Sequence, residues 1–233
     1  MVNLTSEMAQ LWASLGSPQP GTGRVVQFAA ATRGEGTSTV AREFARFAAG
    51  RSERPVWLVD LDLHGGGQYA AIGAETSRYG APGRAAAASP DGSTFFTVQP
   101  PARDKQGRMI ADAAYLSAHR AGASHLWVTR FRREMLRGGQ QPQLIASGDY
   151  WTALRRHAAV VVIDTPSADR SPAAGVVAPY ADCTVLVVAA EGSDTRAPAA
   201  LRDSVEQAGG RCAGIVFNRA RISRPPFLKA MLP

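Results

Sequence analysis

The stretch Val25-Val26-Gln27-Phe28-Ala29-Ala30-Ala31-Thr32-Arg33-Gly34-Glu35-Gly36-Thr37-Ser38-Thr39-Val40 decides the fold. An apolar run over 25–31 reads as a buried strand. It leads into a short loop containing Gly34 and Gly36, which opens onto Ser38, Thr39 and a segment of helical periodicity over 38–50. A strand, a loop and a helix in that order bring backbone N–H groups to a helix N-terminus, which suits a phosphate. Residues 31–38 fit the pattern G-x-x-x-x-G-K-[ST] except at two positions. Ala31 stands for the first glycine and Thr37 for the lysine.

Two further stretches share the logic of the first. Residues 55–60 (Pro-Val-Trp-Leu-Val-Asp) form a second apolar run ending in an acid, with Asp62 following Asp60. A carboxylate pair at i and i+2 leaving a buried strand suits a hydrated magnesium ion or a nucleophile's hydroxyl. Residues 159–164 (Ala-Val-Val-Val-Ile-Asp) form a third such run, and Asp164-Thr165-Pro166 follows it. Each feature alone has an ordinary reading, as a helix cap, a solvated strand end or a turn. Together, in this order, they indicate a nucleotide-type site at the carboxyl ends of parallel strands.

The rest of the chain fits that frame. Leu4, Met8, Leu11, Trp12 and Leu15 share one helical face over 4–15, with Thr5 or Ser6 as its cap. Residues 16–23, with Pro18 and Pro20, end that helix as a loop. Residues 73–93 are rich in Ala, Gly, Ser and Pro and read as a mobile loop with one helical turn, within a variable region over 73–125. A short strand is expected over 94–98, a loop over 100–107, a helix over 109–119, a short strand over 126–129 and a helix over 142–157. Beyond 164, the pattern predicts a short helix over 172–179, a strand over 184–189, a helix over 195–208 and a last strand over 213–218. The segment 223–233 reads as a short tail. Continuous apolar runs alternating with helices give an α/β fold: a mostly parallel central sheet with helices on both faces, three layers in one domain over 1–233.

Composition narrows the function. The net charge is +7, and all but Lys105 and Lys229 of the 26 basic residues are arginine. The arginines are scattered, with Arg132, Arg133 and Arg137 the nearest approach to a patch, so a solvated face is expected and nucleic acid is not the favoured partner. No apolar run approaches the roughly 20 residues of a membrane-spanning helix. No secretory signal is recognised. Cys183 and Cys212, each in an apolar run, read as buried reduced thiols of a cytoplasmic protein.

On these motifs the chain resembles the bacterial tyrosine kinases of capsule and exopolysaccharide export, relatives of the partition and division-site ATPases. Residues 34–41 resemble that family's first nucleotide motif. Val59-Asp60-Leu61-Asp62-Leu63-His64 resembles its second and Ile163-Asp164-Thr165-Pro166 its third. The runs 181–188 and 214–219 also match. The resemblance implies a P-loop fold that binds ATP and Mg2+. It implies nucleotide contacts from Arg33, Gly34, Glu35, Gly36, Thr37, Ser38, Thr39 and Asn218, with Asn218 near the adenine. It implies Ser38, Asp60 and Asp164 around the metal, and Asp60, Asp62 and Asp164 as the catalytic carboxylates, Asp62 activating the acceptor hydroxyl. It also implies homo-oligomer assembly, and recruitment to the inner face of the membrane by a polysaccharide co-polymerase.

The sequence departs from that family at informative places. Thr37 replaces the lysine that reaches the β- and γ-phosphates, a charge worth several kcal/mol in the transition state, about the size of one oxyanion-hole donor. Arg33 offers a partial substitute. Thr32 stands where partition ATPases carry a second lysine, and His64 replaces the usual arginine of the second motif. The 5 tyrosines (Tyr69, Tyr79, Tyr115, Tyr150 and Tyr180) form no cluster in the tail, and Glu7 is followed by Gln10 and Ala13 where relatives carry arginines for ring contacts. Three readings follow: a kinase-like ATP-binding regulator, a catalytically silent adaptor, and a partition-type ATPase. The last is disfavoured by Thr32 and by the lack of an amphipathic C-terminal helix pattern.

Overall fold

The computed structural model describes residues 4–16, 21–191 and 195–219; the proline pair Pro18/Pro20 and the tail over 223–233 lie outside the described residues. The chain runs α1 (Thr5–Leu15), β1 (Arg24–Ala29), α2 (Thr37–Ala49), β2 (Val56–Asp60), α3 (Gly67–Ala74), α4 (Thr76–Tyr79), β3 (Pro82–Ala87) and β4 (Phe96–Gln99). It continues through β5 (Leu116–Ala121), β6 (Leu126–Phe131), β7 (Gln141–Leu144), α5 (Asp149–His157), β8 (Val160–Asp164), α6 (Ala173–Val177), β9 (Cys183–Ala189), α7 (Arg196–Gln207) and β10 (Cys212–Asn218). Ten strands form an 8-stranded sheet in the order β10-β9-β1-β8-β2-β6-β5-β3 and a two-stranded sheet of β4 and β7.

Strands β10, β9, β1, β8, β2 and β6 pair in parallel throughout. Their β-branched runs are the residues that pack well on a pleated surface covered from both sides. β1, β2, β8 and β9 are buried almost along their whole length. On one side α2 presents Val40, Phe44, Phe47 and Ala48 to the sheet. Phe44 packs on Phe28 of β1 with ring centroids 5.3 Å apart. The α1 face foreseen from the sequence (Leu4, Met8, Leu11, Trp12, Leu15) closes the same layer, with the Trp12 and Phe44 rings 6.0 Å apart. On the other side, Tyr150, Trp151 and Leu154 of α5 pack with Val161, Ile163 and Phe95. The sheet is therefore mostly parallel with helices on both faces, as the patterning requires.

Several expectations are corrected. The cap of α1 is Leu4, with no side-chain hydrogen bond, rather than Thr5 or Ser6. Residues 73–93 are not one loop. They hold the end of α3, the single turn α4 and the strand β3. The helix expected over 109–119 is a 3-10 turn over Asp112–Tyr115 followed by β5. β5 pairs antiparallel with β6 and β3, so cross-strand pairing overrides local preference there. The helix expected over 142–157 starts only at Asp149, because residues 141–144 pair with β4 as β7. Strand β10 is not buried on both faces. It is the sheet edge, partnered by β9 alone, and Ile215 and Phe217 are 48% and 62% exposed. Cys183 is buried and Cys212 half-buried; both are free thiols.

Candidate functional site

The site lies where β1, β2 and β8 end side by side. Phe28 of β1 is in register with Asp164 of β8, and Asp164 with Asp60 of β2. Two buried carboxylates therefore lie on neighbouring strand ends. The β1–α2 loop bends over them through Gly34 and Gly36, both left-handed at φ 93 and 92. Gly36 has a second constraint: a Cβ there would sit 2.0 Å from Asn218 Nδ2. Thr39 N and Val40 N donate to Gly36 O, which starts α2. The first turn of an α-helix has no internal partners for its N–H groups, so Thr37 and Ser38 leave amides for an incoming anion.

The loop is held from three sides. Glu35 folds its buried carboxylate back to accept from Thr32 N at 3.0 Å. Asn218 at the end of β10 donates through Nδ2 to Glu35 O at 2.8 Å. Arg33 N donates to Asp169 Oδ2 at 3.1 Å. Glu35 and Asn218 thus brace the loop, whereas Thr32, Arg33, Gly34, Gly36, Thr37, Ser38 and Thr39 line an open cavity of about 280 Å³ together with Asp62, Asp164 and Arg170.

The carboxylates differ in their surroundings. Asp60 Oδ1 accepts from Asp62 N at 2.9 Å and its Oδ2 from Gln68 N at 3.0 Å, so Asp60 also caps the start of α3. Asp164 Oδ2 accepts from Gln68 Nε2 at 2.6 Å. Asp164 Oδ1 is buried without a hydrogen-bond partner among the described residues. Burial, reinforced by the neighbouring Asp60 charge, raises the Asp164 carboxyl to about 7. Burial, with a contribution from Asp62, raises Asp60 to about 6, against its backbone hydrogen bonds. A buried acid pair of this kind is stabilised by a cation, and the unused Asp164 oxygen beside Ser38 provides a ligand position. No group of three His, Cys, Asp or Glu suited to a metal cage occurs among the described residues. Asp62 sits at the rim, where its Oδ1 accepts from Gly65 N at 2.7 Å and its Oδ2 lies 3.4 Å from an Arg170 nitrogen.

Two residues that the sequence did not single out complete the arrangement. Gln68 is fully buried and uses its whole carboxamide: Nε2 donates to Asp164 and to Ser38 O at 2.9 Å, and Oε1 accepts from Arg42 Nη1 at 2.9 Å. It ties α2, α3 and β8 together under the loop. Arg42 in turn donates to the Tyr79 hydroxyl at 3.2 Å. Tyr79 donates to Glu43, which also pairs with Arg78 at 2.7 Å and Arg46 at 3.0 Å. The second residue is Arg170, on the loop after β8. A Gly-Gly-Gly-Gln run and an Asp-Arg-Ser-Pro run look like plain turns in sequence, so neither carried a signal. Of the arginine trio, Arg132 and Arg137 donate to the carbonyls of Ala114 and Arg103, so they serve the loops around them.

No protein-family model and no curated protein sequence matches the chain. Solved structures do. The VpsO kinase domain matches with TM-score 0.51 at 20% identity, over 85% of this chain and 86% of that one. The chimerical protein CapA2B2 matches with TM-score 0.54 at 17% identity, over 84% and 76%. A nucleotide-binding protein from Archaeoglobus fulgidus, in complex with ADP, matches with TM-score 0.50 at 16% identity, over 87% and 69%. At such identities the likeness is one of fold. The chain shares its mostly parallel sheet, covered by helices on both faces, with this kinase domain and this nucleotide-binding protein.

Proposed function

We propose that the chain binds ATP with Mg2+ and acts as a kinase-like regulator of exopolysaccharide or capsule synthesis and export, working on a membrane co-polymerase at the inner face of the membrane. The observation that carries the nucleotide half is the buried, unpartnered Asp164 Oδ1 beside Ser38, beneath a loop whose helix-end amides are free for phosphate. Ser38 and Asp164 would hold the magnesium ion, with Asp60 steadying them through Gln68. When bound, that ion supplies neutralisation of the phosphate charge. The loop amides orient the phosphates, and Asp62 at the cavity rim takes the proton of an acceptor hydroxyl. The polysaccharide half rests on the motif resemblance.

The acceptor proposed here is a hydroxyl of the co-polymerase. Tyr79, Tyr115 and Tyr150 are buried, and Tyr69 and Tyr180 are half-buried. The test is transfer of label from γ-labelled ATP to the cytoplasmic segments of a membrane co-polymerase. Labelling that disappears in Asp62→Asn supports the kinase reading. A second reading, a silent adaptor, is favoured by Thr37, an uncharged and buried side chain at the lysine position. ATP binding without any transfer to the partner would select it.

A further inference from the structure

We infer that Arg170 supplies, from outside the loop, the positive charge toward the terminal phosphate of a bound nucleoside triphosphate that Thr37 lacks. The inference rests on the nucleotide reading above and names the residue that makes it workable. Arg170 lines the same cavity as Thr37, Ser38 and Asp164. Its position is fixed by the loop that carries it. Ala168 N donates to Ala30 O at 2.9 Å and Asp169 N to Ala31 O at 3.1 Å. The Asp169 carboxylate accepts from Arg33 N, and the amides of Arg170 and Ser171 both return to Ser167 O. The β8 loop is thereby stitched along the entry to the phosphate loop, which sets the Arg170 backbone on the cavity wall facing it.

The side chain is left available. Its one hydrogen-bond contact among the described residues is to Asp62 Oδ2 at 3.4 Å, and it is 42% exposed. An exposed pair of that length holds little energy, so the guanidinium is free to turn toward an arriving anion. A guanidinium carries five donors in a planar fork, so it can keep Asp62 and bind a phosphate oxygen together. Two other arginines line the cavity. Arg33 sits on the loop itself, and Arg219 follows the Asn218 brace in a left-handed conformation at φ 58. Arg170 alone of the three contacts Asp62, the acid at the rim where an acceptor would enter. A cation there bridges the terminal phosphate and the acceptor side, as an added arginine does in phosphoryl transfer generally.

Calorimetric titration of wild type, Arg170→Ala, Arg170→Lys and Arg33→Ala with Mg2+-ATP and Mg2+-ADP tests it. Arg170→Ala should weaken ATP binding about tenfold or more, the value of one charge-assisted hydrogen bond, and ADP binding less than about threefold. Arg170→Lys, which keeps the charge but not the planar fork, should recover part of the ATP affinity. Unchanged thermal midpoints will show that the variants fold. Unaltered ATP affinity in Arg170→Ala, an equal loss for ATP and ADP, or a loss carried by Arg33→Ala instead overturns the assignment while leaving the nucleotide reading intact. Wild-type protein that binds neither nucleotide overturns both, and that result is read from the wild type alone.

Discussion

Replacing Gln68 with leucine keeps nearly the same volume and removes the carboxamide that ties the phosphate-loop helix to the two buried acids. Three hydrogen bonds go. Those to Arg42 and Asp164 involve charged partners, each worth about 1.5–3 kcal/mol net, and that to Ser38 O about 0.5–1.5 kcal/mol. Added without relaxation, the loss is roughly 3.5–7.5 kcal/mol. Two relaxations reduce it. Arg42 keeps the Tyr79 hydroxyl at 3.2 Å and Ser38 O at 3.4 Å. Asp164, already raised to about 7, takes up a proton when its donor disappears. The expected cost is therefore about 3 kcal/mol, large for a single substitution. Urea denaturation followed by circular dichroism measures it, with an unchanged slope confirming that the same surface unfolds. Nucleotide affinity should fall in parallel, because Ser38 and Asp164 lose their shared tether. A stability loss below about 1 kcal/mol would refute the claim that Gln68 holds the site together.

Other substitutions probe separate joints. Asp164→Asn removes one charge from the buried pair while keeping an acceptor for Gln68, so the magnesium-free protein should gain about 1–2 kcal/mol near neutral pH, read by thermal unfolding. Gly36→Ala must place a Cβ at φ 92 against Asn218, and should cost about 1–2 kcal/mol with loss of nucleotide binding in the same titration. Glu43 yields a pH signature. Burial pushes its carboxyl up, but hydrogen bonds from Arg78 and Tyr79 and the Arg46 charge outweigh burial and hold it below its ordinary 4.5. Its stabilisation is thus fully present above pH 4.5 and is lost as pH falls through the lower folded value. Glu43→Gln should flatten the acid limb of a stability-versus-pH curve.

Much of this site is legible in the sequence because its chemistry is local. Three β-branched runs, each ending at an acid or a glycine loop, state where parallel strands finish, and parallel strands finish at ligand sites. Asp60 and Asp164 meet because β2 and β8 are neighbours in register, which follows once the sheet is parallel. What stayed hidden is what depends on distant pairing. β3 reads Pro-Gly-Arg-Ala-Ala-Ala, with no alternation, and becomes a strand only because β5 offers it an edge. Gln68 looks like a turn residue until α3 turns it inward onto Ser38. Arg170 looks like a solvated loop charge until its backbone is tied to Ala30 and Ala31. Asn218, expected near an adenine, donates to Glu35 O, a brace that no local pattern announces.

The central claim is that the loop, Ser38 and Asp164 form a magnesium-dependent nucleotide site despite Thr37. Equilibrium titration of the wild type and Asp164→Asn with ATP, in Mg2+ and again in chelator, tests it most directly. Saturable binding in Mg2+ that is lost in chelator and lost in Asp164→Asn is the result expected. Binding indifferent to both magnesium and Asp164, or no binding at millimolar ATP, would contradict it.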